Sequence, residues 1–106
     1  MIDNNKKLEM YLNTVVNSVF KILPLYEEKN EGIEIYIDSL LFELYGLGEV
    51  VAIKHSYEYI SLLSTLESVR KVVHKNDSKK IIKREVFKCI NIVKNMIGKL
   101  SEDEHS

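Results

Sequence analysis

Proline occurs once and glycine four times in this chain of 106 residues, so little in it can break a helix or turn a hairpin. A β-sandwich needs many turns, and their scarcity argues against one. The single cysteine, Cys89, excludes a disulfide framework. Small secreted domains usually carry several cysteines. No apolar window approaches the roughly 20 residues of a membrane span. The chain begins MIDNNKK with no apolar run behind the lysines, so no signal peptide is expected and a cytoplasmic location is. Catalytic motifs are also missing. Gly46-Leu47-Gly48 has neither the third glycine nor the following Lys-Ser or Lys-Thr of a phosphate loop. There is no Gly-x-Ser-x-Gly elbow and no His-Glu-x-x-His pair.

What remains is the mix of an ordinary globular domain: 45% apolar and 29% charged residues with a net charge of −1. The organising stretch is Ser56 to His74. Its apolar residues Tyr59, Leu62, Leu66, Val69 and Val73 recur in steps of three and four, which keeps them on one helical face. Ile60, Leu63 and Val72 widen that stripe. A helix apolar over so wide an arc must be covered by other helices.

The same period organises the rest of the chain. Behind a cap at Asp3, Asn4 or Asn5, helix 1 carries Leu8, Leu12, Val15, Val19 and Ile22. Pro24 cannot donate to the carbonyl four residues back, so the helix either stops near Ile22 or, the favoured reading, bends there and runs on through Tyr26 to about Lys29. Helix 2 starts near Ile33 with Ile37, Leu40, Leu41 and Leu44 on its face and Tyr36 and Phe42 extending it. Gly46 and Gly48 punctuate its end, one as a left-handed cap. Glu49 to Ile53 could form a short strand but has no partner strand, so Glu49 to about Lys75 reads as helix 3. Ser56 capping a shorter helix is the alternative. Asn76, Asp77 and Ser78 make a turn, and helix 4 follows with Ile82, Val86, Cys89, Val93, Met96 and Leu100. The expected fold is all-α, a small up-and-down antiparallel four-helix bundle over residues 1–100, with 101–106 a disordered acidic tail. Such a bundle dimerises if one stripe is too wide to bury internally.

Candidate chemistry is sparse. His55 and Glu58 lie one turn apart, but two ligands make a poor metal site. His74 sits among Arg70, Lys71 and Lys75, and His105 is in the tail. Cys89 falls on an apolar stripe, where a thiol behaves as a small hydrophobe. No catalytic set, metal site or cofactor is expected, and no enzymatic activity.

Charge is the one distinctive feature. Residues 1–69 hold five Lys/Arg and eleven Asp/Glu, a balance of −6; residues 70–99 hold ten and two, a balance of +8. The cations bunch as Arg70, Lys71, Lys75, Lys79, Lys80, Lys83, Arg84 and Lys88 around the turn between helices 3 and 4. Glu27, Glu28 and Glu31 gather, with Glu34 and Asp38, around the connection between helices 1 and 2. Such blocks can face each other and water, meet a protein partner (a second copy included), or follow a phosphate backbone. Slight overall acidity and the want of a polar recognition helix count against nucleic acid. Tyr45 and Tyr57 flank the loop after helix 2 and are expected to be exposed there, where a tyrosine offers area and a hydroxyl together.

In size and helical pattern the chain is similar to small bacteriocin-immunity proteins, antitoxins and phage-encoded inhibitors of host defence. The likeness is one of architecture and assigns no residue a role. It implies a protein that works by occupying another protein's surface. The expected contact surface is the basic end, from Arg70 to Arg84, together with Glu27, Glu28, Glu31, Tyr45 and Tyr57. A nucleic-acid-binding accessory role is the alternative.

Overall fold

The computed structural model describes residues 2–50 and 56–105, with side chains over 5–49 and 56–100. Five helical segments follow one another: α1 Ile2–Phe20, α2 Ile22–Glu27, α3 Ile33–Val50, α4 Tyr57–His74 and α5 Lys79–His105. The first two are one helix bent at Lys21. Pro24 has no N–H to give to the Phe20 carbonyl, and the ladder breaks there. It resumes with Leu25 N–H donating to Lys21 O at 3.2 Å. The result is a four-helix bundle, and each helix runs antiparallel to the next. Tyr26 of α2 meets Asn76 and Asp77 beyond α4 at one end. At the other end Leu44 of α3 meets Tyr59 of α4, and Glu58 of α4 meets Lys99 of α5.

The apolar stripes become the core. Leu12, Val15 and Val19 of α1, Ile37 and Leu44 of α3, Leu62, Leu66 and Val69 of α4, and Ile82, Val86, Cys89 and Val93 of α5 are all buried. Each such side chain contributes about 1.5–3 kcal/mol on burial. Helix α5 packs along both α4 and α1, and α3 packs on α4. At about 1.5 Å per residue the 27 residues of α5 account for most of the 44 Å long axis.

Helices α2 and α4 end alike. Asn30 N–H donates to Leu25 O and Lys29 N–H to Tyr26 O; Asp77 N–H donates to Val72 O and Asn76 N–H to Val73 O. In each pair the residue after the cap, Lys29 or Asn76, has φ 55°. This double bond pattern satisfies the last carbonyls of both helices at the same end of the bundle. Ser78 Oγ then accepts from Ile81 N–H and starts α5.

Several expectations change. Neither Gly46 nor Gly48 is a left-handed cap: α3 passes through both to Val50, and no described glycine has positive φ. Glu49 and Val50 therefore close α3 and do not open the next helix. The shorter alternative holds, with Ser56 Oγ accepting from Tyr59 N–H at 3.2 Å to cap α4. Residues 51–55, with the strand reading of 51–53 and the metal pair at His55, lie outside the described residues. Helix α5 continues through His105, so the backbone of 101–105 is helical where a disordered tail was expected. One glycine, Gly98, costs only about 1 kcal/mol in a helix already propagating, too little to end it.

Gly48 is needed for space. A Cβ there would overlap the ring and hydroxyl of Tyr59, which reaches past it to donate to Leu44 O at 2.8 Å. A Cβ at Gly46 would meet nothing within 4 Å. The two glycines are thus expected to respond oppositely in urea unfolding. Gly46→Ala should gain about 1 kcal/mol from helix propensity. Gly48→Ala should lose about 1–3 kcal/mol by overpacking despite the same propensity gain.

Candidate functional site

The charge blocks of the sequence meet on folding. Both the α2–α3 turn and the α4–α5 turn lie at the end where Tyr26 bridges them, so acids and bases share that end. Lys79 pairs with Glu27 at 2.7 Å, Arg70 grips Asp38 with two nitrogens, and His74 Nδ1 lies 3.0 Å from Glu34. The Asp38 bond and charge raise the Arg70 pKa further. These pairs are exposed, and screening by solvent keeps each of them weak. Among the described residues Lys71, Lys75, Lys80, Lys83, Glu28 and Glu31 form no ion pair.

Glu85, on the α4–α5 seam, is the one charged residue among the buried side chains described. Burial pushes its carboxyl up, but a bond from Ser68 Oγ at 3.0 Å, with Lys88 at 3.2 Å and Arg84 at 3.3 Å, outweighs this and holds it below the usual carboxylate value. Arg84 and Lys88 are therefore spent in part on a structural carboxylate. Cys89, one helical step away, is fully buried, and burial followed by the Glu85 charge pushes its thiol up to about 12. A thiol so placed stays protonated at neutral pH and is a poor nucleophile. No group of three or more His, Cys, Asp or Glu among the described residues is arranged to hold a metal ion.

The second feature is apolar. Phe42 and Ile60, both expected to widen buried stripes, are 83% and 54% exposed. Among the described residues, the outward sides of α3 and α4 at this level have no neighbour to cover them. Between these helices runs a groove of about 590 Å³ lined by Phe42, Tyr45, Gly46, Ile60 and Leu63, with Glu49 and Glu67 among its polar residues. The absent side chain of Gly46 leaves one wall open. Tyr45 donates to Glu67 Oε1 at 2.8 Å across the groove, and that bond raises the phenol's pKa. Tyr57 is 80% exposed at the start of α4. Two further tyrosines are tied in across the helix seams. Tyr11 donates to Glu43, and Tyr36 donates to Ser18 O at 2.7 Å.

The structure therefore separates the candidates. Arg70, Lys71, Lys75, Lys79, Lys80, Lys83, Arg84, Glu27, Glu28 and Glu31 belong to one mixed-charge region; Tyr45 and the apolar groove form another. Sequence reasoning missed Phe42, Gly46 and Ile60 as surface residues. The available signal was excess: α3 offers apolar residues on more faces than its neighbours can cover. No helix of the described residues is long and apolar enough to cross a membrane. No family model, no curated protein and no solved structure matches the chain.

Two outcomes follow. Replacing Lys79, Lys80, Lys83 and Arg84 together with Gln should leave the far-UV CD spectrum intact, because Lys88 and Ser68 still hold Glu85; a large loss of helicity would make the cluster structural. Glu85 has a folded pKa below its unfolded value of about 4.3. Its carboxylate thus stabilises the fold at neutral pH, and that contribution fades as pH falls through the folded value. Glu85→Gln should accordingly lower stability at neutral pH and flatten its decline on acidification, read as urea midpoints down to about pH 3.

Proposed function

We propose that this chain is a non-enzymatic binding module that acts by occupying the surface of another protein, through the groove between α3 and α4. The observation that carries the reading is the exposure of Phe42 beside Ile60 over an open apolar floor. Leaving such side chains in water forgoes about 1.5–3 kcal/mol for each one that a partner could bury. Clustered exposed apolar surface on a small domain marks contact sites more often than scattered single residues do. Immunity proteins, antitoxins and phage inhibitors of host defence act by such occupation, and the compact helical scaffold suits that mode. This likeness is analogy of architecture.

The basic end supports a second reading. Lys71, Lys75, Lys80 and Lys83 have no carboxylate partner among the described residues and could contact phosphates without base readout. Glu27, Glu34 and Asp38 on the same end dilute that field, which weighs against nucleic acid.

A pull-down from the organism of origin separates the readings. A partner protein should be retained by the wild type and by the variant with all four lysines changed to Gln. Phe42→Gln/Ile60→Gln should lose it while keeping its CD spectrum, since exposed substitutions usually shift stability by no more than about 0.5 kcal/mol. Loss with the lysine variant alone, together with a gel shift on DNA or RNA at low salt, would transfer the function to the basic end.

A further inference from the structure

The charge around the groove narrows what can enter it. Helix α3 carries Glu34, Asp38, Glu43 and Glu49 and not one Lys or Arg. The first cation of α4 is Arg70, already held by Asp38. Glu49 and Glu67 line the groove itself, and no cation among the described residues does. Glu67 uses one oxygen on the Tyr45 hydroxyl and keeps the other for an incoming donor.

We infer that the groove seats a basic amphipathic α-helix of a partner protein, an inference that rests on the groove being a docking surface. The space between two packed helices is the natural seat for a third, whose apolar ridge lies in the groove. Apolar side chains spaced i, i+3 or i+4, and i+7 on the partner would fill the opening at Gly46 and cover Phe42 and Ile60. Lys or Arg flanking that ridge would meet Glu49 and Glu67. Such pairing sets on-rate and selects against acidic competitors. A second copy of this chain is the poorer occupant: a two-fold contact would set Glu49 and Glu67 of both copies against each other. In a head-to-tail contact basic α5 would offer the groove only Phe87, a ring engaged edge to face with Phe20 at 5.7 Å, while the exposed Ile35 lies beside Glu34 on acidic α3 and Met10 beside Glu9. An anionic lipid surface would be repelled by the same acids.

Three designed helical peptides of about 18 residues, identical in their apolar ridge of Leu and flanked by Lys, Glu or Gln, provide the probe. They are titrated against the full chain by fluorescence anisotropy at low salt. The Lys-flanked peptide should bind about tenfold or more tighter than the Glu-flanked one, with the difference shrinking as salt rises. Glu49→Lys/Glu67→Lys should reverse the order. Gly46→Leu places a side chain in the open wall, where a Cβ meets nothing within 4 Å and Leu is the better helix former, and should abolish binding with the far-UV CD spectrum retained. Equal affinity for all three peptides, lost in Gly46→Leu, would overturn the basic occupant and leave the docking surface standing. Binding that survives Gly46→Leu would overturn the seat. No binding of any peptide would overturn the amphipathic-helix occupant, while the pull-down on Phe42 and Ile60 judges the docking surface separately. Concentration-dependent dimerisation in light scattering, lost in Phe42→Gln, would replace the partner helix with a second copy.

Discussion

Burial of the α4 stripe is the constraint from which the rest of the architecture follows. Leu62, Leu66 and Val69 are fully out of water because α3 lies against one side of α4 and α5 against the other. A helix with apolar residues over so wide an arc has no stable life alone, since nucleation is costly and its exposed stripe gains nothing. Helix α5 must in turn hide Ile82, Val86 and Val93, and α1 covers it. The chain thus closes around its central helix by successive coverings. The covering stops at the outer edge of α3, where Phe42 remains in water beside Ile60.

Tyrosine hydroxyls finish the seams that aliphatic packing leaves. Tyr59 caps the Leu44 carbonyl inside the bundle, Tyr36 reaches Ser18 O on α1, and Tyr26 ties the two turns at one end. Tyr11 and Tyr36 link α1 to α3, a pair of helices with little direct backbone approach. A phenol is long, stiff and wet only at its tip, which suits a seam too wide for Leu or Val. Among the described residues no buried side-chain nitrogen or oxygen lacks a partner. Interior polar groups therefore serve the fold, and the atoms still open to a ligand lie on the surface.

Charge is redistributed by folding in the same way. A chain that reads acidic and then basic brings the two blocks to one end, where Glu27, Glu34 and Asp38 take Lys79, His74 and Arg70. What is left over is unlike at the two places. Among the described residues, lysines without partners remain about the α4–α5 turn, and Glu43, Glu49 and Glu67 remain without a cation along α3 and the groove. The apolar opening falls on the acidic side, and the basic occupant inferred for the groove rests on this coincidence.

The amino-acid sequence determined the four-helix architecture, because steps of three and four place side chains on one helical face whatever surrounds them. It also determined the bend before Pro24, the turn at Asn76 to Ser78 and most of the core, from Leu12 to Met96. These are local properties, set by backbone geometry and by the need to hide each stripe. The fate of residues at stripe edges was decided only in three dimensions. Phe42 and Leu44 lie two positions apart with similar hydrophobicity, yet one faces water and the other a fully buried core. Gly48 reads as a helix stop along the chain, but in the bundle Tyr59 occupies the space its side chain would need. Ion pairing too waited on the fold, since Arg70 and Asp38 are 32 residues apart and meet only when α3 and α4 pack. Which face is covered depends on how many neighbours a helix has, and that number belongs to the assembled bundle and to no single segment of the chain.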